Sequence, residues 1–559
     1  MGASLRHLTL AACIGLPLLW SLAGALASAA DAAAWWRLWH DPQLPRALAL
    51  TLFTGVTATA LSVLGAAFIL RHAFPGRHWQ PMVTRLGAML ALPHAAFAIG
   101  FAFLIAPSGW LLRLFSPWAT GFDAPPAWTT TQDPWGLSLV AVLVAKEVPF
   151  LLWAAATQLQ RPDVAQRLAR EWALAQTMGY ATGRAWWRVL WPQIWPRLYA
   201  PVLAVWVYSL TVVDMAIVIG PGTPPVLAAL AAQWLMDADP WVSAQGAAAA
   251  WLLAMLVALC LLLLRWLRPL WAGGLRRRRS DGQRGRAQPA NAGMRMGTTA
   301  ARAVLPVLYG LVAAFLALGS VAGVWPFPQL WPQSLSLQAW QSVLGSSSTL
   351  WLSAGLGLAA AMTALLWSVA WLECAPAAWD AALRRLLYLP LWLPSVLWVL
   401  GIHRLTLHWG WDAQFAGLWL AHTLAATPYV LIALSPAYLG FDPRLAQIAA
   451  TLGHSRAQFL WRIKWPLLRA SLCSALAVGF AVSMAQYLPT LFVGAGRFST
   501  VTTEAVTLAS GAQRSLSSAY AWLQLLLPAC MFALMALLGR PRRFARQALP
   551  AGSPGGGAS

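Results

Sequence analysis

Charge is what this chain has least of. Of its 559 residues only 10% are charged, and acids are the scarcer sign, with 16 Asp and Glu against 38 Lys and Arg. A water-soluble protein of this length needs far more charged surface, so the solvent implied is a membrane. Lysine is almost missing: Lys146 and Lys464 are the two in the chain, and neither follows a glycine-rich loop. A Walker A loop needs such a lysine, so nucleotide chemistry belongs to a partner. Cysteine is sparse as well. Cys13, Cys260, Cys374, Cys473 and Cys530 form no CxxC pair, which argues against a disulfide framework or zinc site and for buried, inert thiols. There is no HExxH, no GxSxG and no paired-carboxylate site, and His94, His403 and His408 are scattered. No enzymatic activity, metal or cofactor is expected.

What is plentiful is apolar. Hydrophobic residues make up 59% of the chain, and runs of about 20 residues, each able to cross roughly 30 Å of hydrocarbon, recur along it. Twelve spans are expected, near residues 8–30, 47–70, 86–106, 136–157, 200–221, 247–268, 303–324, 346–372, 386–403, 415–436, 471–493 and 518–539. The stretches between them are too short for a soluble catalytic domain. A formal charge of +22 would point to nucleic acid in a soluble protein. Here no basic stripe alternates with exposed aromatics, and the charge is better explained by loops on one side of the membrane. With the N-terminus inside, 31 of the 38 Lys and Arg fall in cytoplasmic loops and 6 in outer ones, with Lys146 inside a span. That bias places both termini in the cytoplasm. Arg6, the apolar run after it and "ALASAA" before Asp31 also resemble a signal peptide; the expectation is an uncleaved first helix. Many of the 36 tryptophans, among them Trp35, Trp36, Trp325, Trp331 and Trp411, flank apolar runs, where an indole suits the headgroup region.

"RRRR" at Arg276 to Arg279 opens a Gly/Ala/Arg-rich stretch that cannot bury a core and is expected to be disordered. It divides the chain into a first domain of six spans, 1–272, a basic cytoplasmic linker, 273–302, and a second domain of six spans, 303–545, with a disordered tail at 546–559.

The two halves repeat each other. "ALAQTMGYATGRAWWRVLWP" (Ala173 to Pro192) and "QIAATLGHSRAQFLWRIKWP" (Gln447 to Pro466) lie 274 residues apart, and Gly179/Gly453, Trp187/Trp461, Arg188/Arg462, Trp191/Trp465 and Pro192/Pro466 coincide. Ser209, Gly220 and Gly222 keep that register with Ser483, Gly494 and Gly496. An even number of spans per half makes the repeats parallel. Each loop, near 165–195 and near 440–468, lies between the fourth and fifth spans of its half, on the cytoplasmic side. Each has an Ala-rich helical stretch, a Gly, and then thirteen residues to a Pro. Small residues (Ala173, Ala175, Ala449, beside Gln447) admit a partner backbone, Gly permits the φ > 0 turn that ends a helix, and Pro suits the first turn of the next.

This pattern resembles the loop of inner-membrane permeases in binding-protein-dependent ABC importers, E-A-A-x3-G-x9-I-x-L-P. Gly and Pro match in both copies; the Ile position holds Val189 and Ile463, and the Leu position Trp191 and Trp465. The leading Glu is replaced by Ala173 and Gln447, while Glu171 stands nearby out of register. The chain is similar to fused permeases of the iron(III) and thiamine group, and "AKEVPFLL" (Ala145 to Leu152) resembles a branch whose proposed substrate is thiamine. The resemblance implies an all-α, type I importer fold in the bacterial inner membrane. It also implies coupling helices seated on two copies of an ATPase subunit, and a periplasmic binding protein that delivers a small solute. No role with nucleic acid is implied.

Lys146, Glu147 and Asp214 are charges within spans, which are costly there and normally face a bundle interior. Neighbours on one helix, Lys146 and Glu147 point about 100° apart and cannot both face one partner. Asp214 and Glu147, with Gln486 and Tyr487 in the second half, are candidates to line a pathway. Pro93, Pro149, Pro394 and Pro428 are expected to kink spans around a cavity. The alternative reading, a twelve-span secondary transporter, does not call for two Gly…Pro loops at equivalent positions. It predicts instead a charged motif after the second span, and "RHAFPGRHWQPMVTR" shows none. A membrane-embedded enzyme or scaffold lacks its catalytic cluster or docking domain.

Overall fold

The computed structural model describes residues 2–76, 78–279, 292–511 and 513–540. Among them helix is the only regular structure, with a lone antiparallel bridge between Ala322 and Leu335 and no strand. Helix is what the solvent demands, since it satisfies every backbone N–H and C=O within the segment. Nine helices are long and apolar enough to cross a membrane, or eleven when each of two bent pairs counts as one span.

The first half holds Gly2–Ala27, Leu44–Ala73, Trp79–Ala91 with His94–Ile105, Leu137–Leu159, Trp191–Thr211 with Asp214–Ile219, and Pro240–Arg279. The second holds Ala292–Val321, Ser347–Cys374, Ala377–Tyr388 with Ser395–His408, Phe415–Leu439, Arg469–Met484 with Leu488–Gly494, and Arg514–Leu538. These are the first to twelfth spans below.

Four expected spans are not single helices. The span at 86–106 breaks at Leu92 and Pro93, and that at 386–403 bends by 110° before Ser395. Proline has no N–H to give and biases the preceding residue to extended backbone, so Leu92 sits at ψ 117°. The spans at 200–221 and 471–493 break after Thr211 and after Met484, at equivalent places. The fifth span also starts earlier than expected, at Trp191. It is 21 residues long but falls outside the nine, diluted by Gln193, Arg197, Pro192, Pro196 and Pro201. Pro149 and Pro428, in contrast, stay inside continuous helices.

The expected linker is partly helix. Residues 273–279 continue Pro240–Arg279, and 292–302 belong to Ala292–Val321. Arg, Leu and Ala are good helix formers, so a helix leaving the membrane has no local reason to stop. The rest of the linker, 280–291, and the tail from 541 lie outside the described residues.

The halves interlock reciprocally. The first span packs on Ser395–His408 of the second half, and the seventh packs on His94–Ile105 of the first. Both contacts need a glycine at the same place, 301 residues apart. A Cβ on Gly401 would fall 2.1 Å from the Ser21 carbonyl oxygen, and one on Gly100 would fall 2.7 Å from Val312 Cγ1. Arg404 adds a bond from Nη1 to the Gly24 carbonyl at 3.0 Å. The sixth and twelfth spans likewise each touch the broken third span of the opposite half. This exchange is the pseudo-twofold arrangement that parallel repeats permit.

Candidate functional site

The loop between the fourth and fifth spans starts with a helix at Pro162–Thr177, and its repeat with a helix at Arg444–Thr451. Both end in the same way. Gly179 and Gly453 have φ of +79° and +78°. Tyr180 N–H reaches the Ala175 carbonyl at 3.1 Å, and His454 N–H reaches the Ala449 carbonyl at 3.0 Å. This is the Schellman closure that a left-handed C′ residue makes possible. No heavy atom lies within 4 Å of a Cβ built on either glycine, so the requirement is backbone conformation and not local crowding.

The side chains sort themselves identically. Ala175 and Ala449 are buried at 5% and 2% exposure and seat each helix on the bundle. Ala173 and Gln447 are exposed. Leu174 and Met178 stand exposed at 60% and 51%, and their equivalents Ile448 and Leu452 at 54% and 71%. Residues at i and i+4 share one helix face, so each loop presents an uncovered apolar ridge beside its glycine. Sequence reading pointed to the alanines and missed this ridge, although Leu174/Ile448 and Met178/Leu452 already agree in type at the 274-residue offset.

Beyond each glycine come a short helix and one π-helical turn, Trp186–Leu190 and Leu460–Lys464. The wide turn rotates the chain between loop and span, and its duplication marks it as part of the design. Pro192 and Pro466 then stand in the first turn of the following helices, Trp191–Thr211 and Trp465–Leu467, Pro192 buried and Pro466 exposed. The first loop is clasped by polar groups. Arg167 Nε donates to Glu171 at 3.0 Å and Arg167 Nη2 to Gln193 Oε1 at 3.0 Å, while Gln193 Nε2 bonds the other Glu171 oxygen. The Gln193 bond, opposed by partial burial and joined by Arg167, holds the Glu171 carboxyl below its ordinary range. The acid that is out of register in the sequence thus ties the loop helix to the start of the fifth span. Trp186, fully buried, donates from Nε1 to the Phe74 carbonyl at 3.3 Å.

The intramembrane charges separate as their 100° spacing requires. Lys146, 2% exposed, donates to the Leu92 carbonyl at 2.6 Å and lies 5.6 Å from the Phe97 and Tyr309 ring centroids. The carbonyl it takes is one freed by the Pro93 break. Glu147 is 4% exposed. Asp214 opens the short helix Asp214–Ile219 beyond the break in the fifth span and is partly buried. Its repeat-equivalent is Leu488. Gln486 lies in the matching break of the eleventh span, with Nε2 bonded to the Val482 carbonyl at 3.1 Å. There His422 bridges the gap, Nδ1 to Ser483 at 2.8 Å and Nε2 to Thr490 at 2.9 Å.

The short helices beyond the two breaks are held at their far ends as well. Gln132 and Ala413 adopt φ of 54° and 53°, rare for residues with a Cβ. Their N–H groups donate to the Ile219 and Val493 carbonyls at 2.9 and 3.0 Å. Asp133 accepts from the N–H of Leu137 and Ser138 at 2.7 and 2.9 Å, capping the fourth span beside this pin. Nothing in the sequence signals a pair of positive-φ residues of types as different as Gln and Ala.

No protein-family profile matches the chain. It is 36% identical over 517 residues, 92% of each chain, to the inner membrane ABC transporter permease protein YnjC of Escherichia coli. Shorter matches cover 20% of the chain. One is 29% identical to a putative ferric transport system permease protein, FbpB 1, of Haemophilus influenzae, spanning 17% of that protein. Another is 27% identical to the spermidine/putrescine transport system permease protein PotC of the same organism, spanning 44% of it. With duplicated loops, interlocked halves of apolar helices and a relative matched almost end to end, the chain belongs to the ABC transporter permeases, as a multi-pass transmembrane transport subunit and not a secondary transporter.

Proposed function

We propose that this permease serves an importer in which two copies of an ATPase subunit seat on its two cytoplasmic loops, one copy per loop. The observation that carries the reading is the matched apolar ridge, Leu174 with Met178 and Ile448 with Leu452, uncovered on helices that end in identically closed glycines. Two surfaces of one shape and one chemistry suit two copies of one partner. Ala173, Gly179, Gln447, Gly453 and Pro466 lie exposed around those surfaces, while Ala175, Ala449 and Pro192 are buried behind them. On this reading ATP hydrolysis belongs to the partner, and ATP-driven closure of the two ATPases moves both loops and switches the bundle from inward- to outward-facing.

The division into domains at 1–272 and 303–545, with cytoplasmic termini, follows from the charge bias and the repeat. A periplasmic binding protein delivers the solute to the outer mouth, and thiamine or iron(III) is the substrate class we assign. The ferric-permease relative and the "AKEVPFLL" segment support that assignment. Asp214, Gln486 and Glu147 line the pathway: two lie at breaks of equivalent spans, and the third is a carboxylate buried within the fourth span.

The docking reading is tested by purifying the chain in detergent with its ATPase. The complex is expected to survive in the wild type and to fail when Gly179 and Gly453 are both replaced by bulky residues; an intact complex in that variant sinks the reading. For the pathway, Asp214→Asn is expected to cut uptake at equal membrane abundance, and unchanged uptake would dismiss the assignment.

A further inference from the structure

Lys464, the second of the chain's two lysines, sits in the π turn of the second loop. Its ammonium, 13% exposed, donates to Glu373 at 2.7 Å, and that carboxylate is 15% exposed. Glu373 is the next-to-last residue of the eighth span, Ser347–Cys374. It also accepts from the Tyr438 hydroxyl, at the end of the tenth span, at 2.9 Å. Arg456, which opens the short helix after the loop glycine, reaches it at 3.1 Å. Lys464 Nζ lies 4.1 Å from the Tyr438 ring centroid, and Trp465 Nε1 donates to the Tyr438 hydroxyl at 3.2 Å. One carboxylate therefore joins the second loop to the ends of two spans. Arg456 is 69% exposed and adds little, since exposed pairs are screened. The Lys464–Glu373 pair is shielded, and removing either partner leaves a charge stranded.

The first half has the same backbone without this link. At the 274-residue offset Lys464 corresponds to Leu190 and Arg456 to Thr182; at the 301-residue offset of the Gly100/Gly401 pair, Glu373 corresponds to His72. The contact there runs instead through buried Trp186 and the Phe74 carbonyl. Conversely, the Arg167–Glu171–Gln193 clasp of the first loop falls on Phe441, Leu445 and Leu467 in the second. The two loops are thus secured differently, the first by its own Arg167–Glu171–Gln193 clasp and Trp186, the second by a charge placed where loop and two spans meet.

We infer that Glu373 is a positioning residue that carries movement of the second loop into the eighth and tenth spans, through its pairing with Lys464 and Tyr438. The inference rests on the docking reading of the loops. A shielded charge pair between rigid elements transmits displacement because separating it exposes two unpaired charges.

The test uses the complete permease with its ATPase in lipid nanodiscs, with Mg-ATP plus vanadate as the probe. A pair of spin labels reports the outer ends of the eighth and second spans. Glu373→Gln is expected to keep the ATPase bound and hydrolysing while the ATP-driven change in label spacing falls at least three-fold. Lys464→Gln should do the same, the double variant should be no worse than either single one, and the exchange Glu373→Lys with Lys464→Glu should restore at least half of the change. An unaltered ATP-driven change in Glu373→Gln overturns the inference, as do additive losses in the double variant. Loss of the ATPase from Glu373→Gln also overturns it, by making Glu373 a docking residue. If the wild-type chain itself retains no ATPase, the docking reading falls instead.

Discussion

Gly179 and Gly453 hold one backbone conformation in two places, φ +79° and +78°, each at the C-terminal end of a loop helix and each with open space where a side chain would begin. The left-handed region costs an L-residue about 1–2 kcal/mol, and Asn tolerates it better than most. Gly179→Asn with Gly453→Asn should therefore keep the ATPase on the purified permease, while the paired Val substitutions should release it. Retention in detergent measures both. Equal loss in the two variants would show that bulk, and not backbone conformation, is what the position forbids.

The exposed ridge makes a second expectation. Covering a Leu-sized side chain contributes about 1.5–3 kcal/mol. Leu174→Asp with Ile448→Asp should weaken ATPase binding by about ten-fold or more, while thermal unfolding of the isolated permease shifts little, because neither residue packs inside the bundle. A titration of the ATPase against nanodisc-held permease reads the first quantity.

Lys146 answers a carbonyl that Pro93 leaves free. Lys146→Met removes the donor and leaves a buried acceptor unsatisfied, at a cost of about 1–3 kcal/mol. The thermal midpoint in detergent should fall, and Lys146→Arg should recover part of the loss. A neutral Lys146→Met would mean that water or a neighbouring group serves Leu92.

Glu171 supplies a pH dependence. Its carboxyl is held below the ordinary range, first by the Gln193 hydrogen bond and then by Arg167, against partial burial. A depressed carboxyl contributes stability above its unfolded value of about 4.3 and loses it as pH falls through the lower folded value. Hydrogen exchange in Pro162–Thr177 should accelerate below about pH 4.3 in the wild type, beyond the intrinsic pH effect. In Glu171→Gln that added acid sensitivity should be missing.

Much of this was legible beforehand. The fold class, the repeat, the two loops and the glycine turns follow from hydropathy, from one offset and from the need for φ > 0 after an Ala-rich helix. The span boundaries were less legible where the chain breaks. Pro93 and Pro394 gave warning, but Val212–Val213 and Ala485–Tyr487 are apolar or mildly polar residues that carry no local stop signal. Their geometry depends on partners remote in sequence: Gln132 and Ala413 hold the far ends of the short helices that follow, and in the second half His422 spans the break itself. The role of Glu171 is illegible for a similar reason, since its partner Gln193 lies 22 residues on.

The sequence alone determined the membrane, the duplication and the place of the loops, because burial in hydrocarbon and chain symmetry act on residue type and spacing. Tertiary structure decided which side chains of those loops remain uncovered, and that Gly100 and Gly401 admit the first helix of the opposite half. It also decided that one loop is held by a carboxylate clasp of its own and the other by Glu373 across two spans. These depend on contacts between segments up to several hundred residues apart, and spacing along the chain does not encode distance across a bundle.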